Sequence, residues 1–284
     1  MGEKTRGARR TNSVTVVAER EKSMNIAVVQ TDPVFGATTK NLEQAVALMR
    51  TVQADLYVLP ELFVSGYNFT SKEETRSLAE PFRQGQVYST LAALAATMKT
   101  TIVYGFAERD GSEVYNSAAI VSHDGTAGLY RKLHLFDREK LFFAPGNLPF
   151  QVFPTPAGPV GLMICFDWYF PESMRTLALR GAHIVAHPSN LVLPHCPDSM
   201  TVRCRENRVF AVTANRVGTE NRGGVSLSFI GQSQITSSRG EILARASATG
   251  AEIHTCTIDP KEATNKRVTG MNDLFEDRRP EFYE

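Results

Sequence analysis

Cysteine is scarce in this chain. The four present, Cys165, Cys196, Cys204 and Cys256, are widely spaced. No apolar run of the secretory kind precedes them, so a disulfide scaffold is not expected and a reducing cytoplasm is. A charge excess of one sign is missing too: 31 basic side chains meet 30 acidic ones, a net of +1, which leaves no electrostatic footprint for nucleic acid or a membrane surface. Long apolar runs are also lacking. "LAALAATM" falls far short of the roughly 18 residues that would suggest a membrane span. Repeats, low-complexity linkers and blocks of like charge are absent. What is left is an ordinary globular composition, 42% hydrophobic over 284 residues, enough for one large domain or two small ones.

Residues 1–23 stand apart. They are polar and basic with no sustained period, and read as a flexible tail or an upstream start. Arg6 occupies the position where a myristoylation signal wants Ser or Thr, and Glu3, Glu19 and Glu21 argue against a transit peptide. The folded domain is expected over 24–284. There the pattern alternates. "MNIAVVQ" reads as a buried strand and "KNLEQAVALMRTV" as a helix with Leu42, Ala45, Val46 and Met49 on one face. "ADLYVLP" is a strand ended by Pro60, "YSTLAALAATM" a helix, "TIVYGFAE" and "VYNSAAIVS" strands, and "SHDGTAG" a turn into "AGLYRK". "VGLMIC" reads as a strand. "PESMRTLALRG" is a helix opened by Pro171 and stopped by Gly181. Strand "AHIVAHP", helix "DSMTVRCRENR" and strand "VFAVTANR" follow, with further strands expected at 229–236 and 251–257. This is one mixed α/β domain with helices over sheets.

Polar residues fall where such strands end: Glu61 after "LYVLP", Lys132 after "GLYR" and Cys165 at the end of "VGLMIC". Sites gather at the carboxyl ends of strands, where side chains from several chain reversals converge. A carboxylate, an amine and a thiol together could take a thiol proton, attack a carbonyl and hold the resulting oxyanion. Each has a plainer explanation. A buried thiol is usually inert. Glu61 could be a first-turn helix acid. Lys132, beside Arg131 and His134, could belong to a solvated basic edge. Glu139 and Lys140 could be an exposed pair worth almost nothing.

The segments "LPELFVSGYNF", "YRKLHLFDREKLFFAPGN" and "GLMICFDWYFPE", in that order, resemble the nitrilase superfamily of carbon–nitrogen hydrolases. The resemblance runs from "MNIAVVQTDP" to "NDLFEDRRPEFYE". Its compact "HLFDRE…FFAPG" form is similar to a small archaeal-type nitrilase/amidase branch. The resemblance implies a four-layer α-β-β-α sandwich and subunits that pair through helices into a homodimer or larger assembly. It also implies Cys165 as nucleophile, Glu61 as general base, Lys132 as oxyanion donor and Glu139 as the second glutamate that positions lysine and substrate. The amide N–H of Phe166 would complete the oxyanion hole. Asn190, in "HPSNL", would line the pocket or cap a turn. Trp168 and Tyr169 would shape the pocket or pack at an interface. "RCRENR" would support the helix and interface, and the terminal "DRR" would form salt bridges.

No cofactor and no metal is expected. His183 and His187 lie four apart on one strand, a span of about 13 Å, too far for two ligands of one ion. A Cys–His dyad through either histidine stays open. Two readings of the whole chain compete: an enzyme that hydrolyses a small amide (or, alternatively, a nitrile) through a thioester, and a non-catalytic binding protein that keeps the fold. The few fixed charges and many aromatic residues flanking the motifs favour a small, uncharged aliphatic amide.

Overall fold

The structure, a computed structural model, describes residues 23–283; the tail expected over 1–23 lies outside them but for Ser23. The first half runs β1 (Met24–Gln30), α1 (Thr38–Met49), β2 (Leu56–Val58), α2 (Lys72–Ser77), α3 (Gln86–Met98), β3 (Thr101–Asp110), β4 (Glu113–Ser122), β5 (Ala127–Arg131) and α4 (Glu139–Phe142). After it come β6 (Val152–Thr155), β7 (Gly158–Leu162), α5 (Pro171–Leu179), β8 (Ile184–Pro188), α6 (Cys196–Asn207) and β9 (Phe210–Ala214). The chain ends with β10 (Thr219–Arg222), β11 (Val225–Ser228), β12 (Gln234–Thr236), β13 (Ile242–Arg245) and β14 (Glu252–Ile258).

Two six-stranded sheets result, ordered β14-β1-β2-β3-β4-β5 and β13-β12-β9-β8-β7-β6, beside a separate β10-β11 hairpin. Each has a parallel centre, β1/β2/β3 and β7/β8/β9, with antiparallel flanks. A strand covered on both faces must be apolar along its whole length, and β1 shows why. Ile26 and Val28 join the core between the sheets, while Ala27 and Val29 face the layer that holds Leu42, Ala45 and Met49 of α1 and Leu91 and Ala95 of α3. In β2, Leu56 and Val58 point inward and Tyr57 outward in the same way, as does Leu59 just after the strand. On the far side, Met174 and Leu177 of α5 and Met200 and Cys204 of α6 cover the second sheet. The result is the expected four-layer α-β-β-α sandwich.

Several elements differ from the sequence pattern. The strand expected through Cys165 stops at Leu162, and Cys165–Tyr169 form a short 3₁₀ turn. The reason is Asp167, whose carboxylate takes the backbone N–H of Ile164 at 2.8 Å and bends the chain out of the sheet. Of the strand expected at 229–236 only Gln234–Thr236 pairs. The hairpin β10-β11, with strands reading "TENR" and "VSLS", is too short and polar for hydrophobic period to reveal. The same holds for α2, which is capped by the Ser71 side chain rather than marked by an apolar face.

Candidate active site

The carboxyl ends of the strands bring the candidate residues together. Glu61 follows β2, Lys132 follows β5, Cys165 follows β7 and Asn190 follows β8. Two glycines permit the approach. A Cβ at Gly105 of β3 would lie 2.4 Å from the Glu61 Cα, and one at Gly146 would lie 2.2 Å from the Arg131 carbonyl oxygen. Any side chain there would push the Glu61 loop or the lysine loop away.

Lys132 is fully buried, as expected for an internal ammonium only if it is paired. Its Nζ donates to Glu61 Oε1 at 2.8 Å and to Glu139 Oε1 at 2.7 Å. Asn116, inward on β4, donates to Glu61 Oε1 at 2.6 Å. Tyr67 donates to Glu139 Oε1 at 2.6 Å, and the Phe136 N–H reaches Glu139 Oε2 at 3.1 Å. Glu139 opens α4, where the helix dipole favours a carboxylate. Neither an exposed Glu139–Lys140 pair nor a solvated basic edge exists: Glu139 is 4% exposed, and Arg131 is itself buried against Glu108.

Cys165 holds φ +40°, a left-handed conformation that non-glycine residues adopt at a cost. The surroundings fix it there. His187 Nε2 lies 2.9 Å from the Cys165 carbonyl oxygen and its Nδ1 lies 3.1 Å from Thr213 Oγ1. That geometry removes the Cys–His dyad, because the imidazole meets the backbone and not the thiol. His183 precedes β8 at the opposite end of the strand. Among the described residues no three His, Cys, Asp or Glu side chains converge as metal ligands.

Electrostatics follow from burial. The Cys165 thiol is pushed well up by burial and further by Glu61 and Glu139, while Lys132 and the Asn190 backbone N–H pull it down. The Glu61 carboxyl is pushed up by burial to about 7, with Lys132 opposing and Glu139 adding. Burial would lower Lys132, yet Glu139 and Glu61 together hold it above its ordinary value, so it stays an ammonium. His187 is pushed down to about 4 by burial and stays neutral. The resting arrangement is therefore a neutral thiol beside a base poised near neutral pH and a permanent cation.

Phe166 is the second residue of the 3₁₀ turn, so its N–H has no partner within the turn. A narrow cleft opens on Cys165, walled by Phe136, Phe166, Trp168, Asn190, Leu191 and Leu193. Trp168 is buried in this wall, whereas Tyr169 is 54% exposed and turned away from it. Asn190 both lines the cleft and donates from Nδ2 to the Glu61 backbone oxygen at 2.9 Å. Its Oδ1 and the Oε2 of Glu61 are buried without a partner. Tyr67 and Asn116 were not singled out from sequence, and His187 was weighed there only as a metal ligand or a partner of the thiol. A signal existed for Asn116, a polar residue in the middle of the otherwise apolar "VYNSAAIVS". For Tyr67 and His187, nothing in the pattern shows what they touch.

A carboxylate–ammonium–carboxylate chain beside a thiol, in a small apolar cleft, can add a sulfur nucleophile to an unsaturated carbon and hold the charge that develops. Comparison with known proteins agrees. The model of the carbon-nitrogen hydrolase family matches residues 25–267, and the chain belongs to that family, within the nitrilase superfamily. It is an enzyme acting on carbon–nitrogen bonds. A nitrilase of Pyrococcus abyssi is 47% identical over 92% of this chain and 99% of its own. The carbon-nitrogen hydrolase of Helicobacter pylori superposes with a TM-score of 0.83 at 28% identity, covering 92% of this chain and 97% of the other. An amidase from Nesterenkonia superposes at 0.74 with 26% identity, covering 92% and 95%.

Proposed function

We propose that the protein hydrolyses a small, largely uncharged amide to the acid and ammonia, with Cys165 as nucleophile, Glu61 as general base, Lys132 as oxyanion donor and Glu139 as the residue that holds the lysine. The observation that carries this reading is Lys132 Nζ, buried between Glu61 at 2.8 Å and Glu139 at 2.7 Å, next to a thiol on which all three charges act. Glu61 takes the thiol proton as the sulfur attacks the carbonyl carbon. The tetrahedral oxygen is met by Lys132 and the Phe166 N–H; one such donor contributes about 3–4 kcal/mol. Glu61 returns its proton to the departing ammonia and leaves a thioester on Cys165. It then takes a proton from water, the hydroxide adds to the thioester, and collapse releases the acid and the thiol.

The two unfilled acceptors, Glu61 Oε2 and Asn190 Oδ1, favour an amide over a nitrile. An amide –NH₂ brings two donors to fill them and a nitrile brings none, and a buried acceptor left unmatched costs about 1–3 kcal/mol. The nitrile reading has its own support in the Pyrococcus abyssi relative named a nitrilase. Ammonia release from matched aliphatic amides, carbamoyl compounds and nitriles, with Cys165→Ala as control, tests the choice. The amide is expected to show the higher kcat/KM, and a tenfold preference for the nitrile would overturn it. For assembly, we read a homodimer through α5 and α6, whose Leu179 and Val202 stand 44% and 50% exposed.

A further inference from the structure

We propose that Glu220 is a positioning residue of this active site, acting through Tyr67 on Glu139. The proposal rests on the roles given above to Glu139 and Lys132. Glu220 lies on β10, outside the catalytic motifs, and is only 5% exposed. Its carboxylate pairs with Arg216, itself 2% exposed. It also accepts the backbone N–H of Asn68 at 2.7 Å and that of Tyr67 at 3.1 Å. The Asn68 side chain answers by donating to the hairpin at Val225 O, 2.9 Å away. Gly66 shows how close the loop lies, since a Cβ there would sit 2.9 Å from Glu220 Oε1.

The backbone so fixed is the one that carries the Tyr67 phenol. Its hydroxyl donates at 2.6 Å to Glu139 Oε1, the same oxygen that takes Lys132 Nζ at 2.7 Å. A fixed chain therefore runs Arg216, Glu220, Tyr67, Glu139, Lys132, with charges held in order from the hairpin to the oxyanion site. Stability alone gives weak reason for a buried ion pair here, because apolar packing of similar volume often does as well. What the pair supplies is the register of residues 66–68, and with it the aim of one charge-assisted hydrogen bond. Without that bond, among the described residues, only the Phe136 N–H and Lys132 itself hold the Glu139 carboxylate. Its Oε1 can then shift, and Lys132 is drawn toward Glu61, the base, and away from the developing oxyanion.

The test compares Tyr67→Phe, Glu220→Gln, the double variant and Glu139→Gln, using the best substrate of the amide and nitrile panel. Tyr67→Phe removes one hydroxyl and is expected to lower kcat by about tenfold to a hundredfold, with KM changed by less than about threefold. Glu220→Gln alone is expected to lower kcat at least about threefold, and adding it to Tyr67→Phe to lower kcat no further, since both act on one bond; a wild-type kcat in folded Glu220→Gln would overturn the proposal. Near-wild-type kcat in Tyr67→Phe, or losses that multiply in the double variant, would overturn the proposal. If Glu220→Gln does not fold, Asn68→Ala, which removes the side-chain bond from the same loop to the hairpin at Val225 O, takes its place in the cycle with the same expected and overturning outcomes. An inactive Glu139→Gln beside a normal Tyr67→Phe removes this proposal and leaves the catalytic reading standing. An active Glu139→Gln removes both.

Discussion

Cys165 and Cys204 are the same residue in two settings. Both are buried in the same core, and burial pushes both thiols up. Cys204 sits within α6 in the apolar core, where burial and then Glu206, two residues on, push its thiol up. Cys165 sits on a left-handed turn, with Lys132, Glu61 and Glu139 acting on it and the Asn190 N–H against its sulfur. Burial and composition therefore do not distinguish a nucleophile from a packing residue. What distinguishes them is a base able to take the proton, a cation able to hold the product of attack, and a backbone that turns the thiol toward open space.

The sharpest way to break the comparison is to remove each sulfur. Cys165→Ala is expected to reduce turnover by at least about 10⁴-fold while the thermal midpoint stays close to wild type. Cys204→Ala should do the reverse, retaining activity within about twofold and losing about 1 kcal/mol of stability. Steady-state rates and thermal melts on the two purified variants decide it; an active Cys165→Ala protein would falsify the mechanism. Next in size is Glu139→Gln. It keeps the shape but removes one of the two charges that hold Lys132, and a loss of about 10²-fold in kcat is expected. Wild-type kinetics would mean that Glu61 positions the lysine by itself.

The smallest effect is a pH dependence that only one cysteine should show. Glu61, raised to about 7, must be ionised to act as base. Alkylation of Cys165 by iodoacetamide, and kcat/KM with it, should rise about tenfold per pH unit below 7 and level off above it. Cys204 should react slowly and without that inflection. The same shift affects the fold. Glu61 binds its proton more tightly folded than unfolded, so its contribution to stability is present below the ordinary carboxylate range and is lost as pH rises through about 7. His187, lowered to about 4, works oppositely, contributing above its ordinary range and losing that contribution as pH falls toward 4. Between roughly pH 4.5 and 6.5 the two offset each other.

Much of this was legible in the residues. Strands covered on both faces, such as β1, announce themselves as unbroken apolar runs, and α1 and α5 carry clean apolar stripes with Pro171 and Gly181 as punctuation. The motifs point to Glu61, Lys132, Glu139 and Cys165, and the structure brings these four side chains together. What stayed hidden depends on contacts distant in sequence. Asp167 looked like part of a motif, yet its work is to take the Ile164 N–H and pull Cys165 out of the strand. His187 looked like a dyad partner or a metal ligand, and it holds a carbonyl. Glu220 meets Tyr67 across 153 residues of chain, a separation that no local period can signal. Short polar strands such as β10 and β11 are set by partners of that kind, so periodicity passes over them.

The unfilled Oε2 of Glu61 has a bearing on the end of the catalytic cycle. The amide proposed as substrate carries donors to that oxygen; the carboxylate left by its hydrolysis does not. Once ammonia has gone and water has entered, the product of that reaction is a carboxylate, which presents only acceptors of its own. Above about pH 5 it is an anion, facing the Glu61 and Glu139 carboxylates across one shared ammonium. Like charge and unmatched acceptors then favour its departure, so the cleft discriminates by direction as well as by shape. On the reading proposed above, it holds the uncharged amide that arrives and expels the charged acid that its hydrolysis makes.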